Sequence, residues 1–258
     1  MSRKIISFSV YGDDADYHRG ALGNLAASKV VYPGWICRFY VSQEIPESVI
    51  DELHAGGAEV IRKVRTDDAD GMFWRFLPAA ESDIDILIVR DVDAILSSRE
   101  KHAVDDWLAS GKEFHIIRDM HKHRSLIMGG LWGCRPNKLA MLPQLISEWS
   151  DFSFGGDQRF LNKHVYPRIQ DNVMIHTDFT TFEGETVTRF PVPRDGTEWL
   201  GMPVFRQSCL KARQKDFAAI LEQEPRSFLQ LVSQLPLARS LTGLFQRVTR
   251  KVASSLAK

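Results

Sequence analysis

Short apolar, β-branched runs alternate with longer helical stretches through the first 120 residues, and no other property of the chain restricts its fold as much. Residues 5–10 read as a strand stopped by Tyr11-Gly12, and 17–31 as a helix ended by Tyr32-Pro33-Gly34. Residues 36–41 form the next strand. A helix over 46–55 follows, with Pro46 in its first turn and Gly56-Gly57 closing it. Strands at 59–62, 86–89 and 113–117 then alternate with helices at 72–80 and 98–109. This rhythm predicts an α/β fold, a mostly parallel sheet with helices on both faces.

Within that rhythm the run Ile-Leu-Ile-Val-Arg-Asp-Val-Asp, residues 86–93, carries the chemistry. Asp-x-Asp occurs four times, at Asp14/Asp16, Asp68/Asp70, Asp83/Asp85 and Asp91/Asp93. Only the last pair comes straight after a run of four apolar residues, with Arg90 between, which places it at the carboxyl end of a buried strand, where open α/β sheets bind ligands. Two carboxylates there suit a hard divalent cation, which in turn holds a diphosphate.

Composition narrows the choice. With 258 residues, 44% of them hydrophobic, the chain can bury a full core. Thirty-three basic residues balance 33 acidic ones, so the formal net charge is +0 and nothing favours a nucleic-acid partner. Cys37, Cys134 and Cys209 stand far apart without a Cys-x-x-Cys pair, as in a reduced, cytoplasmic protein. The basic start has too short an apolar stretch for a signal peptide, and no segment approaches the roughly 20 apolar residues of a membrane span.

Beyond residue 120 the sequence turns polar and glycine-rich. His-Lys-His-Arg, residues 121–124, precedes an apolar stretch broken by Gly129-Gly130, read as a strand approached closely by something else. Asn137 is expected to cap a helix reaching Trp149, a further helix opens at Asp157, and residues 173–176 form a strand ending in His176. From 226 to 258 there are six basic residues and no acidic one, with Leu237, Leu241, Leu244, Phe245, Val248 and Val252 at helical spacing. A basic amphipathic helix of this kind suits either an anionic membrane surface or packing on the domain.

Five anchors in order give the chain a family resemblance: Ser-Val-Tyr-Gly after the first strand, Gly-Met-Phe-Trp-Arg-Phe-Leu at 71–77, Arg-Asp-Val-Asp at 90–93, Gly-Gly-Asp-Gln-Arg-Phe-Leu-Asn at 155–162, and Met-Ile-His at 174–176. Together they resemble GT-A-type glycosyltransferases of the nucleotide-diphospho-sugar transferase superfamily. The second is similar to the Asp-x-x-Arg-x-x-x-Leu helix of toxin-like and mannosyl-type enzymes, and the fourth and fifth to glycogenin-like enzymes. A nearer likeness is to uncharacterised glycosyltransferase-like sequences of bacteria and viruses that share Arg-Asp-x-Asp, Arg-Asp-x-x-x-His and Gly-Gly-x-Trp-Gly.

The resemblance implies a GT-A catalytic domain over 1–205, with a nucleotide-binding half at 1–120 and an acceptor and metal-completing half at 121–205, followed by a helical extension at 206–258. It implies Mn²⁺ or Mg²⁺ held by Asp91, Asp93 and His176. Tyr11, Arg75, Arg90, Asp91, Gly129 and Gly130 would then meet a UDP- or GDP-sugar. Asp157 would bond donor-sugar hydroxyls and Gln158 would lie near the anomeric carbon, with Asp157 or Asp119 the base if the reaction inverts. His123 and Trp132 would border the acceptor, a glycan or lipid-linked molecule of polysaccharide or cell-envelope synthesis. Three other readings remain open: a nucleotidyltransferase, a metal-dependent hydrolase using His121 and His123, and an inactive carbohydrate-binding relative. The expected location is cytoplasmic, with residues 226–258 offering peripheral contact with the inner face of a membrane.

Overall fold

The computed structural model describes residues 2–65, 70–136, 139–194 and 199–203. Asn137, Cys209 and the amphipathic stretch at 226–258 lie outside them. Seven strands form one sheet in the order β3-β2-β1-β4-β6-β5-β7, over Lys4–Val10 (β1), Ile36–Ser42 (β2), Glu59–Lys63 (β3), Ile86–Arg90 (β4), Phe114–Arg118 (β5), Leu131–Cys134 (β6) and Val173–Thr177 (β7). All neighbours run parallel except β6, which is antiparallel to both β4 and β5. The mostly parallel sheet expected from the sequence is therefore present.

Strand periodicity divides the core. Ile6, Phe8, Ile86 and Ile88 face one side, against the helices α1 (Ala15–Val31), α2 (Glu47–Ala55) and α3 (Ser98–Ser110). Ile5, Leu87 and Val89 face the other, against Phe73 and Phe76 of a 3₁₀ segment, Asp70–Ala80, and against Leu142 and Phe160 of the short helices α4 (Leu142–Ser147) and α5 (Gly156–Phe160). Every residue of β4 and β5 is buried, the apolar runs of both strands together with Arg90, His115 and Arg118.

Two local expectations change. Residues 72–80 are 3₁₀ rather than α-helical; Pro78 inside the segment has no N–H to donate to a regular ladder. The apolar stretch after residue 125 is a strand only from Leu131, and Gly129-Gly130 belong to the loop before it. Past α5 the chain continues through a π-turn at Leu161–Val165 into α6 (Tyr166–Ile169).

Strand order reverses between β1 and β4: β2 and β3 extend one way from β1, and the later strands the other. This is the topological switch point, where a crevice opens beyond the carboxyl ends of the strands. Tyr11 follows β1, and Asp91 and Asp93 follow β4, so both flank that crevice.

Candidate active site

Arg75 is the centre of the cluster. Its backbone N–H donates to Ser9 Oγ at 3.0 Å, fixing the 3₁₀ segment to β1. Its guanidinium then spans two carboxylates, with Nη1 2.7 Å from Asp91 Oδ1 and Nη2 2.9 Å from Asp157 Oδ2. Burial opposes the arginine's charge, but Asp91 and Asp157 more than offset it and raise its pKa. Burial also raises the Asp157 carboxyl, against the pull of Arg75. Arg75 Nε is buried without a hydrogen-bond partner among the described residues.

Glycine makes this closeness possible. A Cβ on Gly129 would overlap the Asp157 carboxylate, and one on Gly130 the Asp91 carboxylate. Neither glycine has a positive φ, so absence of a side chain rather than backbone freedom selects them. Asp157 enters from the start of α5, behind Gly155 in a left-handed conformation, and its Oδ1 accepts the Gln158 N–H at 2.8 Å.

Tyr11 forms the wall nearest β1. Its ring meets Trp74 edge-on at 6.2 Å and leaves no room for a side chain at Gly71, and burial pushes its phenol up to about 12. His123 is buried on the opposite side, where its Nδ1 accepts the Asp119 N–H at 3.1 Å. That bond leaves the proton of the neutral ring on Nε2. Burial pushes its pKa down to about 4, against the fields of Asp119 and Asp91. The structure thus brings Tyr11, Arg75, Asp91, His123, Gly129, Gly130 and Asp157 together, with Asp93 in the same loop as Asp91 and close enough to Arg75 to act on its charge.

Four expected site residues have other work. Arg90 is buried, pairing with Glu100 at 2.6 Å and donating to the Val89 and Trp132 carbonyls. Trp132 is a core residue, 1% exposed, packed edge-on to Phe76; alternation along β6 aims it into the lower core, so it offers no platform to an acceptor. Asp119 is wholly buried, bound by Arg99, Arg194 and the Leu200 N–H, and it ties Arg194 and Leu200 to the end of β5. His176 also lies elsewhere: its Nδ1 is 2.8 Å from His115 Nε2, and its Nε2 is 3.1 Å from Asp106 Oδ2. With both nitrogens so engaged, it does not join Asp91 and Asp93.

Among the described residues no group of three or more His, Cys, Asp or Glu side chains is arranged to hold a metal alone. Two carboxylates at a crevice still fit a hard cation that takes its remaining oxygens from water and a diphosphate. Sequence reasoning missed Asn24, a buried residue of α1 that bonds the chain just beyond Asp91; an asparagine in mid-helix gives no signal of a distant partner.

No family model and no curated protein matches the chain. Among solved structures it is similar to a 4-diphosphocytidyl-2C-methyl-D-erythritol synthase from Anaerococcus prevotii, at 8% identity, with 68% of this chain and 87% of that one covered and a TM-score of 0.46. It is also similar to glucosyl-3-phosphoglycerate synthase from Mycobacterium tuberculosis, at 14% identity over 68% and 70% of the two chains, with a TM-score of 0.43. A third is a cytidylyltransferase from Leptospira borgpetersenii, at 15% identity over 88% and 96%, also with a TM-score of 0.43.

Proposed function

We propose that the chain is a metal-dependent glycosyltransferase that takes its sugar from a nucleotide-diphospho-sugar. The observation that carries this reading is the switch-point cluster, in which Arg75 bridges Asp91 and Asp157 with Gly129 and Gly130 packed against both carboxylates. Tyr11 would lie along the nucleoside, and Asp91 and Asp93 would hold Mg²⁺ or Mn²⁺ together with the diphosphate. The cation would neutralise the charge that develops on the departing diphosphate. Arg75, with its unpartnered Nε and its paired Nη groups, would add charge-assisted bonds to the same phosphates.

The acceptor hydroxyl would attack the anomeric carbon as the bond to the diphosphate breaks, and its proton would pass to a base. Asp157, released from Arg75 as the guanidinium turns to phosphate, would bond the donor sugar's hydroxyls, with Gln158 beside the anomeric carbon. His123 would present its Nε2–H to the same crevice. A glycan or lipid-linked acceptor and a role in polysaccharide synthesis belong to the same proposal.

Thermal stability measured against UDP-, GDP-, CMP- and dTDP-sugars, each with Mn²⁺ or with EDTA, tests it. The expected result is metal-dependent stabilisation by one nucleotide-sugar, lost in Asp93→Ala. Stabilisation only by a nucleoside triphosphate added to the panel, which then loses pyrophosphate as its nucleotidyl group passes to a sugar phosphate, would transfer the site to nucleotidyl transfer. No shift with any nucleotide at millimolar concentration would sink the donor assignment.

A further inference from the structure

The loop that carries Asp91 and Asp93 is tied to the helix before β2 as well as to itself. Between β4 and α3, the Ala94 N–H donates to the Asp91 carbonyl at 3.3 Å, and Ser97 caps α3. One side chain reaches its backbone from outside at three points. Asn24, wholly buried in α1, places Nδ2 3.0 Å from the Val92 carbonyl and 3.1 Å from the Ala94 carbonyl, and its Oδ1 accepts the Leu96 N–H at 3.0 Å. One turn earlier on the same helix, Gly20 lets the loop settle: a Cβ there would overlap the Val92 carbonyl. The two carbonyls that Asn24 grips flank Asp93 directly, and Val92 also follows Asp91.

We infer that Asn24, seated over the Gly20 notch, is a positioning residue that fixes the Asp91–Asp93 loop for the cation and diphosphate, an inference that rests on the donor-site reading above. Asn24 touches no reacting atom. A primary amide suits this task because its two N–H groups serve the two loop carbonyls and, at 3.0 Å, the Gly20 carbonyl of its own helix, while its oxygen accepts from one N–H within the same planar group. No other side chain of similar length does both without a charge. Removing it would leave two buried carbonyls and one buried N–H without partners, and the loop would relax towards other arrangements. Residues that orient ligating side chains from behind typically affect affinity about 10- to 100-fold.

The test compares wild type, Asn24→Ala and Ile50→Ala, the last removing a buried apolar side chain of α2 to lower stability while Asn24 keeps its bonds to the loop. Two readouts are taken: hydrogen exchange of the Leu96 amide without ligand, and the affinity for UDP and for GDP at saturating Mn²⁺. The inference expects Asn24→Ala to strip Leu96 of protection and weaken nucleotide binding at least tenfold, with Ile50→Ala changing neither beyond its general loss of stability. It is overturned if Leu96 stays protected in Asn24→Ala, or if Ile50→Ala weakens nucleotide binding as much. If Asn24→Ala does not fold, Asn24→Ser, too short to reach the loop, takes its place with the same expected results. Should wild type bind neither these two nucleotides nor any in the panel above, the donor reading falls. Leu96 exchange then still decides whether Asn24 fixes the loop.

Discussion

Arg75 is one buried cation serving two carboxylates, and that arrangement sets what its loss would do. Arg75→Ala would leave Asp91 and Asp157 facing each other unpaired, and breaking a buried pair costs about 3 kcal/mol. Denaturant unfolding should show that loss, and nucleotide-sugar binding should fall at least about tenfold, one decade for each ~1.4 kcal/mol. Lysine is expected to restore little of either, because its single ammonium cannot span both partners. Trp132 gives the opposite case. Trp132→Ala should destabilise by about 3–5 kcal/mol, while Trp132→Phe keeps donor and acceptor use near wild type. Kinetics on Trp132→Phe decide the matter: a lost acceptor with unchanged stability would return Trp132 to the site. At this scale the sequence was legible where a residue's neighbours in the chain declare its place. Asp91 announced itself by following four apolar residues, and Arg75, Asp157 and the glycine pair stood in motifs of known order. Arg90, Asp119 and His176 misled because their partners, Glu100, Arg99 and His115, come from other elements, and a sequence does not show which side of a strand end a side chain takes.

At the scale of elements, the site depends on segments that approach without side chains between them. Gly130→Ala would push a methyl group into the Asp91 carboxylate. The expected outcome is loss of metal-dependent nucleotide binding by at least about tenfold, since second-sphere displacements have effects of this size. The fold should survive, because the loop before β6 lies at the rim, and far-ultraviolet circular dichroism together with nucleotide titration would check both halves. The elements themselves were readable. The strands β1 to β5 and the helices α1 to α3 fell within a residue or two of their expected limits, because apolar periodicity and the Tyr32-Pro33-Gly34 and Gly56-Gly57 breakers are local signals. The reversal of β6 was not, since strand direction is decided by pairing with β4 and β5.

Taken whole, the molecule holds three buried histidines, His115, His123 and His176, in surroundings that resist charge. Burial lowers the pKa of His115, His123 and His176, taking His123 to about 4. In the unfolded chain each would protonate near 6.5. Below that pH the unfolded state binds more protons than the folded one, so stability is full above about 6.5 and falls as the solution is acidified. The slope is up to about 1.4 kcal/mol per pH unit for each histidine still neutral in the fold. Urea midpoints at pH 7.5, 6.5 and 5.5 would reveal it, and His115→Phe should flatten the curve; a flat wild-type curve would contradict these buried neutral rings. The reversed strand has a consequence of its own. Because β6 runs against β4 and β5, with Leu131 opposite Arg90, the segment joining β5 to β6 turns around at the same rim as the carboxylates. Residues 119–130 form a hairpin loop over the crevice rather than a crossover beneath the sheet. Such a loop can be lengthened, shortened or exchanged with both its anchoring strands left in register. Residues 120–128 could therefore be rewritten over the course of descent while Asp119, Gly129 and Gly130, at the two ends of the loop, keep the contacts that seat the carboxylates beneath it.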